Sequence, residues 1–180
     1  MAIDLRNYEP ALMAGATETN AGQTVNGALS VTGTSTLSGA ATQNPNVISG
    51  QGATATLTAA QSGSLCLFDR AAGIIYTLPA PAVGLYFDFL VTTTITSNNA
   101  EVDTDAGTTF LLGAPNIVVD NSATSKAFQG NGTSHVKIQL NGTTKGGILG
   151  SFFRVQCVSA TKWNVTGNIM GSGTLVTPFA

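Results

Sequence analysis

From Ala53 onward, apolar residues recur at every second position in short blocks separated by Gly, Pro and Asn. A period of two puts alternate side chains on opposite faces, so each block predicts a β-strand with one buried face. Leu65–Phe68 is a short apolar run, Asp69–Gly73 has turn composition, and Ile74, Tyr76 and Leu78 alternate with smaller residues; together they predict a hairpin. Pro79-Ala80-Pro81 ends that ladder, because proline has no N–H to donate and a fixed φ. The chain re-enters after Gly84 as Tyr86–Val91, with Phe87, Phe89 and Val91 on one face and Tyr86, Asp88 and Leu90 on the other, so that Asp88 sits among apolar neighbours on a half-covered face.

The same pattern predicts strands over Ala53–Leu57, Thr108–Leu112, Asn116–Val119, His135–Leu140, Phe152–Val158 and Trp163–Thr166. Val136, Ile138 and Leu140 are expected to point inward with His135, Lys137 and Gln139 outward; Phe153, Val155 and Cys157 inward with Arg154 and Gln156 outward; Trp163 and Val165 close the core. After Thr42 no stretch of useful length has a helical period. Many short strands joined by Gly, Pro and Asn turns predict an all-β fold, an antiparallel β-sandwich of jelly-roll type.

The region before Thr42 has a different pattern. Gln23–Ala40, QTVNGALSVTGTSTLSGA, alternates strictly, with Val25, Leu29, Val31 and Leu37 on one parity beside Gly and Ser. This is the signature of an extended segment whose single narrow apolar edge needs cover, either from another chain, which makes these four residues the candidates for contact between chains, or from the sheet of its own domain, which it would join as a strand. Met1–Ala16 carries Ile3, Leu5, Tyr8 and Leu12 between charged residues, with Pro10 placed to open a short helix ended by Gly15; its apolar residues are the candidates for anchoring on a partner. Thr42–Gly52, TQNPNVISGQG, is a linker by composition. The expected organisation is an extended N-terminal arm and linker over residues 1–50 and a β-sandwich domain over 51–180.

Composition narrows the function. Charged residues are 9% of the 180-residue chain against about 25% in a typical soluble domain, and none occurs between Thr19 and Phe68, which fits a segment lying against protein. The net charge of −2 and the scattered Lys and Arg argue against nucleic acid as a partner. Neither a signal peptide nor a run of about 20 apolar residues is present, so no membrane partner and synthesis in a host cytoplasm are expected.

The run ATLTAAQSGSLCLFDRAAGIIYTLPAPAVGLYFDFLV, Ala55–Val91, resembles a segment of the head decoration (capsid cement) proteins of tailed bacteriophages, through its TLTAAQSG lead-in, D-x-A-A-G turn, T-L-P-A-P corner and aromatic strand. The closing FFRVQCVSATKWNVTG, Phe152–Gly167, is similar to the last hairpin of that group, with its W-x-V-x-G ending. The resemblance implies a virion structural protein on the outer capsid surface, with the major capsid protein as partner, and no active site. Residues 31–39, of the form V-x-G-x-[ST]-x-L-x-G, also resemble runs in trimeric phage fibres, which implies a homotrimer. The alternative this leaves is a tail-fibre or head-fibre component that binds host surface glycans.

Candidate chemistry is sparse. Glu101, Asp103 and Asp105 in EVDTDAG are the main acidic cluster, read as an exposed acidic turn; they would share one face if extended, where a divalent cation would relieve their repulsion, but the run lacks the spacing of a calcium loop. His135, the single histidine, follows Ser134, with no G-x-S-x-G to supply a nucleophile. NGTTKGG around Lys145 lacks P-loop spacing and reads as a hairpin loop. Cys66 and Cys157 leave two readings open, one disulfide or two buried thiols, and the second fits a chain without an export signal. The sequence therefore predicts no catalytic residue, no metal and no cofactor.

Overall fold

The computed structural model describes residues 45–120 and 122–180. The arm residues singled out above (Ile3, Leu5, Tyr8, Leu12, Val25, Leu29, Val31 and Leu37) lie outside the described residues. Within them the fold is all-β, and the one helical element is a 3₁₀ turn at Ala59–Gln61. That turn is set by the TLTAAQSG lead-in, where the Gln61 side chain reaches back to accept a 2.8 Å bond from the Thr58 N–H.

Among the described residues thirteen strands form two sheets. The larger runs β1 (Val47–Ile48), β3 (Leu65–Phe68), β5 (Tyr86–Val91), β12 (Phe152–Ser159), β13 (Lys162–Gly171), β7 (Phe110–Gly113) and β10 (Gly130–Asn131), with β8 (Asn116–Val119) also on β13 and β9 (Ser125–Ala127) on β8. The smaller has the order β11 (Lys137–Leu140), β6 (Ala100–Asp103), β4 (Ile75–Thr77) and β2 (Thr54–Thr56).

From β1 to β7 each strand lies in the opposite sheet to the one before it. Hence β1, β3 and β5 pair in parallel in one sheet, and β2, β4 and β6 pair in parallel in the other. Parallel neighbours need a crossover, usually a helix; here a strand of the facing sheet makes it. Val47 is opposite Leu65 and Leu65 opposite Asp88, while Thr54 is opposite Ile75 and Ile75 opposite Glu101, a winding of roughly twenty residues per turn.

This corrects two expectations. Strand pairing is mixed, not antiparallel: six ladders are parallel, against five antiparallel ones. And Leu65–Leu78 is not a hairpin: β3 and β4 lie in different sheets, so Asp69–Ile74 is a corner between them. Gly73 makes the corner possible, with φ at +75° and its α-carbon so close to Asn99 that a Cβ would strike the Asn99 carbonyl. Alternation reports which side chains are inside, and a corner and a hairpin satisfy it equally.

The antiparallel part is β5–β12–β13, where Phe89 is opposite Phe153 and Phe153 opposite Gly167. The two sheets share one core. Phe68, Phe89 and Phe153 stack along the larger sheet, and Tyr76 from the smaller one meets Phe68 edge-on at 5.3 Å and Phe89 at 5.7 Å. The Tyr76 hydroxyl donates to the Leu67 carbonyl at 2.9 Å, which ties the sheets together. Gly167, which ends W-x-V-x-G, leaves room for Phe153, since a Cβ there would lie 2.7 Å from the Cβ of Phe153. Trp163, Val165, Val155 and Phe87 are fully buried, as their parity predicts. The C-terminal residues run along β11, Ala180 and Lys137 exchanging N–H···O bonds at 3.0 Å.

Candidate interaction face

The inner residues of β3, β5 and β12 are core, so their intervening residues form an outer face, and these are unusually apolar. Leu67 is opposite Leu90 and Leu90 opposite Phe152, which gives an in-register row across three strands. Beside it run Val47 and Leu65, and Met170 stands diagonally beyond Phe152. Phe152 is 43% exposed, Val47 51% and Met170 38%. Leu149, 57% exposed, lies in the loop that enters β12, whose Ile148 N–H donates to the Met170 carbonyl at 3.1 Å. Single exposed apolar residues need no explanation, but a contiguous group on one face does.

The only charged pair on this row of strands is satisfied within the face. Arg154 on β12 holds Asp88 on β5 through two bonds of 2.7 and 2.8 Å, and its guanidinium lies 4.4 Å above the Tyr86 ring. Asp88 and Arg154 are register partners, so the pairing follows from the strand alignment. The bond to Asp88 raises the Arg154 pKa further above its ordinary value. A bidentate pair next to an aromatic ring presents a flat, neutral surface that a protein partner covers without stranding a charge.

The acidic cluster is organised differently from its expected form. Glu101 and Asp103 belong to strand β6, and Glu101 is buried where an exposed turn was expected. Lys137 of β11 donates to Glu101 at 2.9 Å and lies 3.5 Å from Asp103, so the cation that relieves their repulsion is a lysine. Gln139 adds a 2.8 Å bond to Glu101, and Lys145 donates to Gln139 at 2.9 Å. Burial pushes the Glu101 carboxyl up, but the bonds from Lys137 and Gln139 win and hold it below its ordinary value. For Asp103 burial wins over Lys137 and the shift is upward. Asp105 is past the strand end and accepts from the Thr109 hydroxyl at 2.7 Å. Among the described residues no group of three or more His, Cys, Asp or Glu side chains is arranged to hold a metal ion.

The remaining candidates are placed as follows. The His135 ring stacks on Phe179 at 5.5 Å, and its Nδ1 accepts from the Asn131 N–H at 3.1 Å, while the Ser134 hydroxyl accepts from the Asn131 amide. Ser134 and His135 thus both serve the Asn131 turn. Cys66 and Cys157 are free and buried. Cys66 pairs with Phe89 and Phe89 with Phe153, four positions along β12 from Cys157, a separation of more than about 10 Å that no disulfide spans. Burial, with Asp88 adding to it, pushes the Cys66 thiol up to about 12. A pocket of about 420 Å³ between Arg70, Asn98, Asn99 and Glu101 opens at the side of the smaller sheet, with the Glu101 carboxylate already engaged by its neighbours. Among the described residues no helix is long and apolar enough to cross a membrane.

The sequence-predicted site residues all lie outside the described residues, and the residues that build the outer face were not among them. The signal for the face was present in the sequence: Leu65, Leu67, Leu90 and Phe152 occupy the parity that should be polar on a solvated sheet. Comparison of the chain with family models, curated proteins and solved structures finds no match.

Proposed function

We propose that the protein is a virion structural protein, a capsid decoration protein that binds the outer surface of a tailed-phage shell at capsomer junctions and stabilises it. The observation that carries this reading is the outer face of the larger sheet, where an in-register apolar row flanks a self-neutralised Arg154–Asp88 pair in a chain with only 9% charged residues. Such a surface suits permanent assembly with protein better than solvent exposure. The sequence resemblance of Ala55–Val91 and Phe152–Gly167 to cement proteins supplies the particular assembly. In this reading the two-sheet core is a sandwich-type scaffold, self-association is homotrimeric, Ile3, Leu5, Tyr8 and Leu12 touch the major capsid protein, and Val25, Leu29, Val31 and Leu37 make contacts between chains. No catalytic step and no cofactor enter: a trimer bridging several capsid subunits acts by multivalency, each weak contact being strengthened by the high effective concentration of the others.

The test is co-sedimentation with shells of the same phage from which this protein has been omitted. The full chain is expected to bind saturably at a fixed ratio to the major capsid protein, and a chain lacking residues 1–39 to stay folded by circular dichroism and remain in the supernatant. Equal binding by the truncated chain would refute the anchoring role of the arm. No binding by the full chain would refute the cement reading and favour the fibre alternative, for which a glycan screen is the next experiment.

A further inference from the structure

We propose that the pocket at the side of the smaller sheet is a saccharide site, which takes a sugar unit carrying one carboxylate, as at the acidic end of a glycan. The inference goes beyond assembly and concerns the opposite sheet from the apolar row.

Placement is the first argument. Glu101 and Ile75 are register partners on β6 and β4 and alternate with the core residues Val102 and Tyr76, so both lie on the outer side of the smaller sheet. The corner over residues 69–74 and the loop over 92–99 meet beside them: the Thr96 N–H donates to the Ala71 carbonyl at 2.8 Å, and Gly73 lies against the Asn99 carbonyl. The pocket of about 420 Å³ is therefore built by backbone contacts of the fold itself, and its size is that of small-molecule sites.

Hydrogen bonding gives the second. Arg70, Asn98 and Asn99 line the pocket, and among the described residues each donates one long side-chain bond: to the Gly73 carbonyl, the Ala72 carbonyl and the Glu101 carboxylate, all at 3.4 Å. The bonds that Lys137 and Gln139 make to Glu101 are 2.9 and 2.8 Å. Most donors of the three lining side chains and both amide oxygens are thus left for a ligand. Asn98 has φ +56°, alone among the described non-glycine residues, which sets two successive amides on one rim of the pocket.

The third argument, charge, selects the ligand. Lys137 neutralises Glu101, whereas no ion pair among the described residues includes Arg70. The pocket has one unmatched cation beside neutral amides, the complement of a monoanion rich in hydroxyls. A carboxylate meets a guanidinium through paired hydrogen bonds. Hydroxyls, which donate and accept, suit Asn98, Asn99 and the remaining lone pairs of Glu101. Ile75 and Ala72 offer an apolar floor to the C–H face of the ring. A phosphate dianion fits less well, since one guanidinium would have to offset both its charge and the neighbouring carboxylate.

Ligand-observed NMR of the full-length protein with methyl β-D-glucuronide tests this. Saturable binding is expected, with a dissociation constant of about 1–10 mM. Methyl β-D-glucoside, which keeps the hydroxyls without the carboxylate, and acetate, which keeps the carboxylate without the hydroxyls, are each expected to bind about tenfold more weakly or worse. Arg70→Gln is expected to weaken the glucuronide about tenfold or more, and Asn98→Gly about threefold or more. Both residues are exposed, so both variants are expected to keep the parent circular dichroism. Glycine also accepts the positive φ freely, so a purely structural Asn98 would be replaced by Gly without any loss of affinity. The proposal is overturned if the glucuronide does not saturate, if the glucoside or acetate binds as tightly, or if either variant binds as tightly as the parent. No shell is present, so saccharide binding can fail while capsid binding succeeds, or the reverse, and the two readings are judged separately.

Discussion

Glu101 and Asp103 sit two residues apart on one strand, share Lys137, and are shifted in opposite directions. Glu101 is held below its ordinary 4.5, so its contribution to stability is complete above that pH and is lost as pH falls through the native value. Asp103 is raised above 3.8, so the native state binds its proton more tightly than the unfolded state, and stability falls as pH rises through that interval. Glu101→Gln is therefore expected to destabilise at pH 7 with a smaller effect at pH 3, and Asp103→Asn to be neutral or stabilising at pH 7; urea denaturation at the two pH values measures both. Gly73→Ala places a methyl group at φ +75° against the Asn99 carbonyl and is expected to lower stability by about 2 kcal/mol or more in the same measurement.

At the scale of elements, the winding from β1 to β6 is held together by aromatic contacts between sheets, since β2 and β4 each contribute only three residues of ladder. Phe89 touches Phe68, Tyr76 and Phe153. Phe89→Ala is expected to cost about 3–5 kcal/mol, while Leu90→Ala, its outward neighbour, costs under about 1 kcal/mol, a contrast readable from denaturation midpoints. The strands over Leu65–Phe68, Tyr86–Val91, Asn116–Val119 and Phe152–Val158, the last running one residue further to Ser159, and the inward set Phe87, Phe153, Val155, Trp163 and Val165 were legible because alternation reports burial directly. β6 was hidden because Glu101 and Asp103 read as solvent-exposed, and only Lys137, distant in sequence, explains their place in a strand. The parallel winding was hidden for another reason: which strand a given strand pairs with depends on contacts about twenty residues away, and the D-x-A-A-G corner has the composition of a hairpin turn. The interaction face could have been found by asking which strands are apolar on both parities.

For the molecule as a whole, low charge, an apolar sheet face and an alternating arm have one physical consequence in common. Each is unfavourable for a lone chain in water and favourable in an assembly, because self-association covers apolar surface without desolvating unpaired charge. A chain with this surface should associate with itself whether or not another partner is present. The direct measurement is the mass of the purified full-length protein by light scattering at micromolar concentration. The expected mass is three times that of the 18.2 kDa chain, unchanged on tenfold dilution. A monomeric mass at the same concentration would contradict self-assembly and, with it, the role assigned to the outer face.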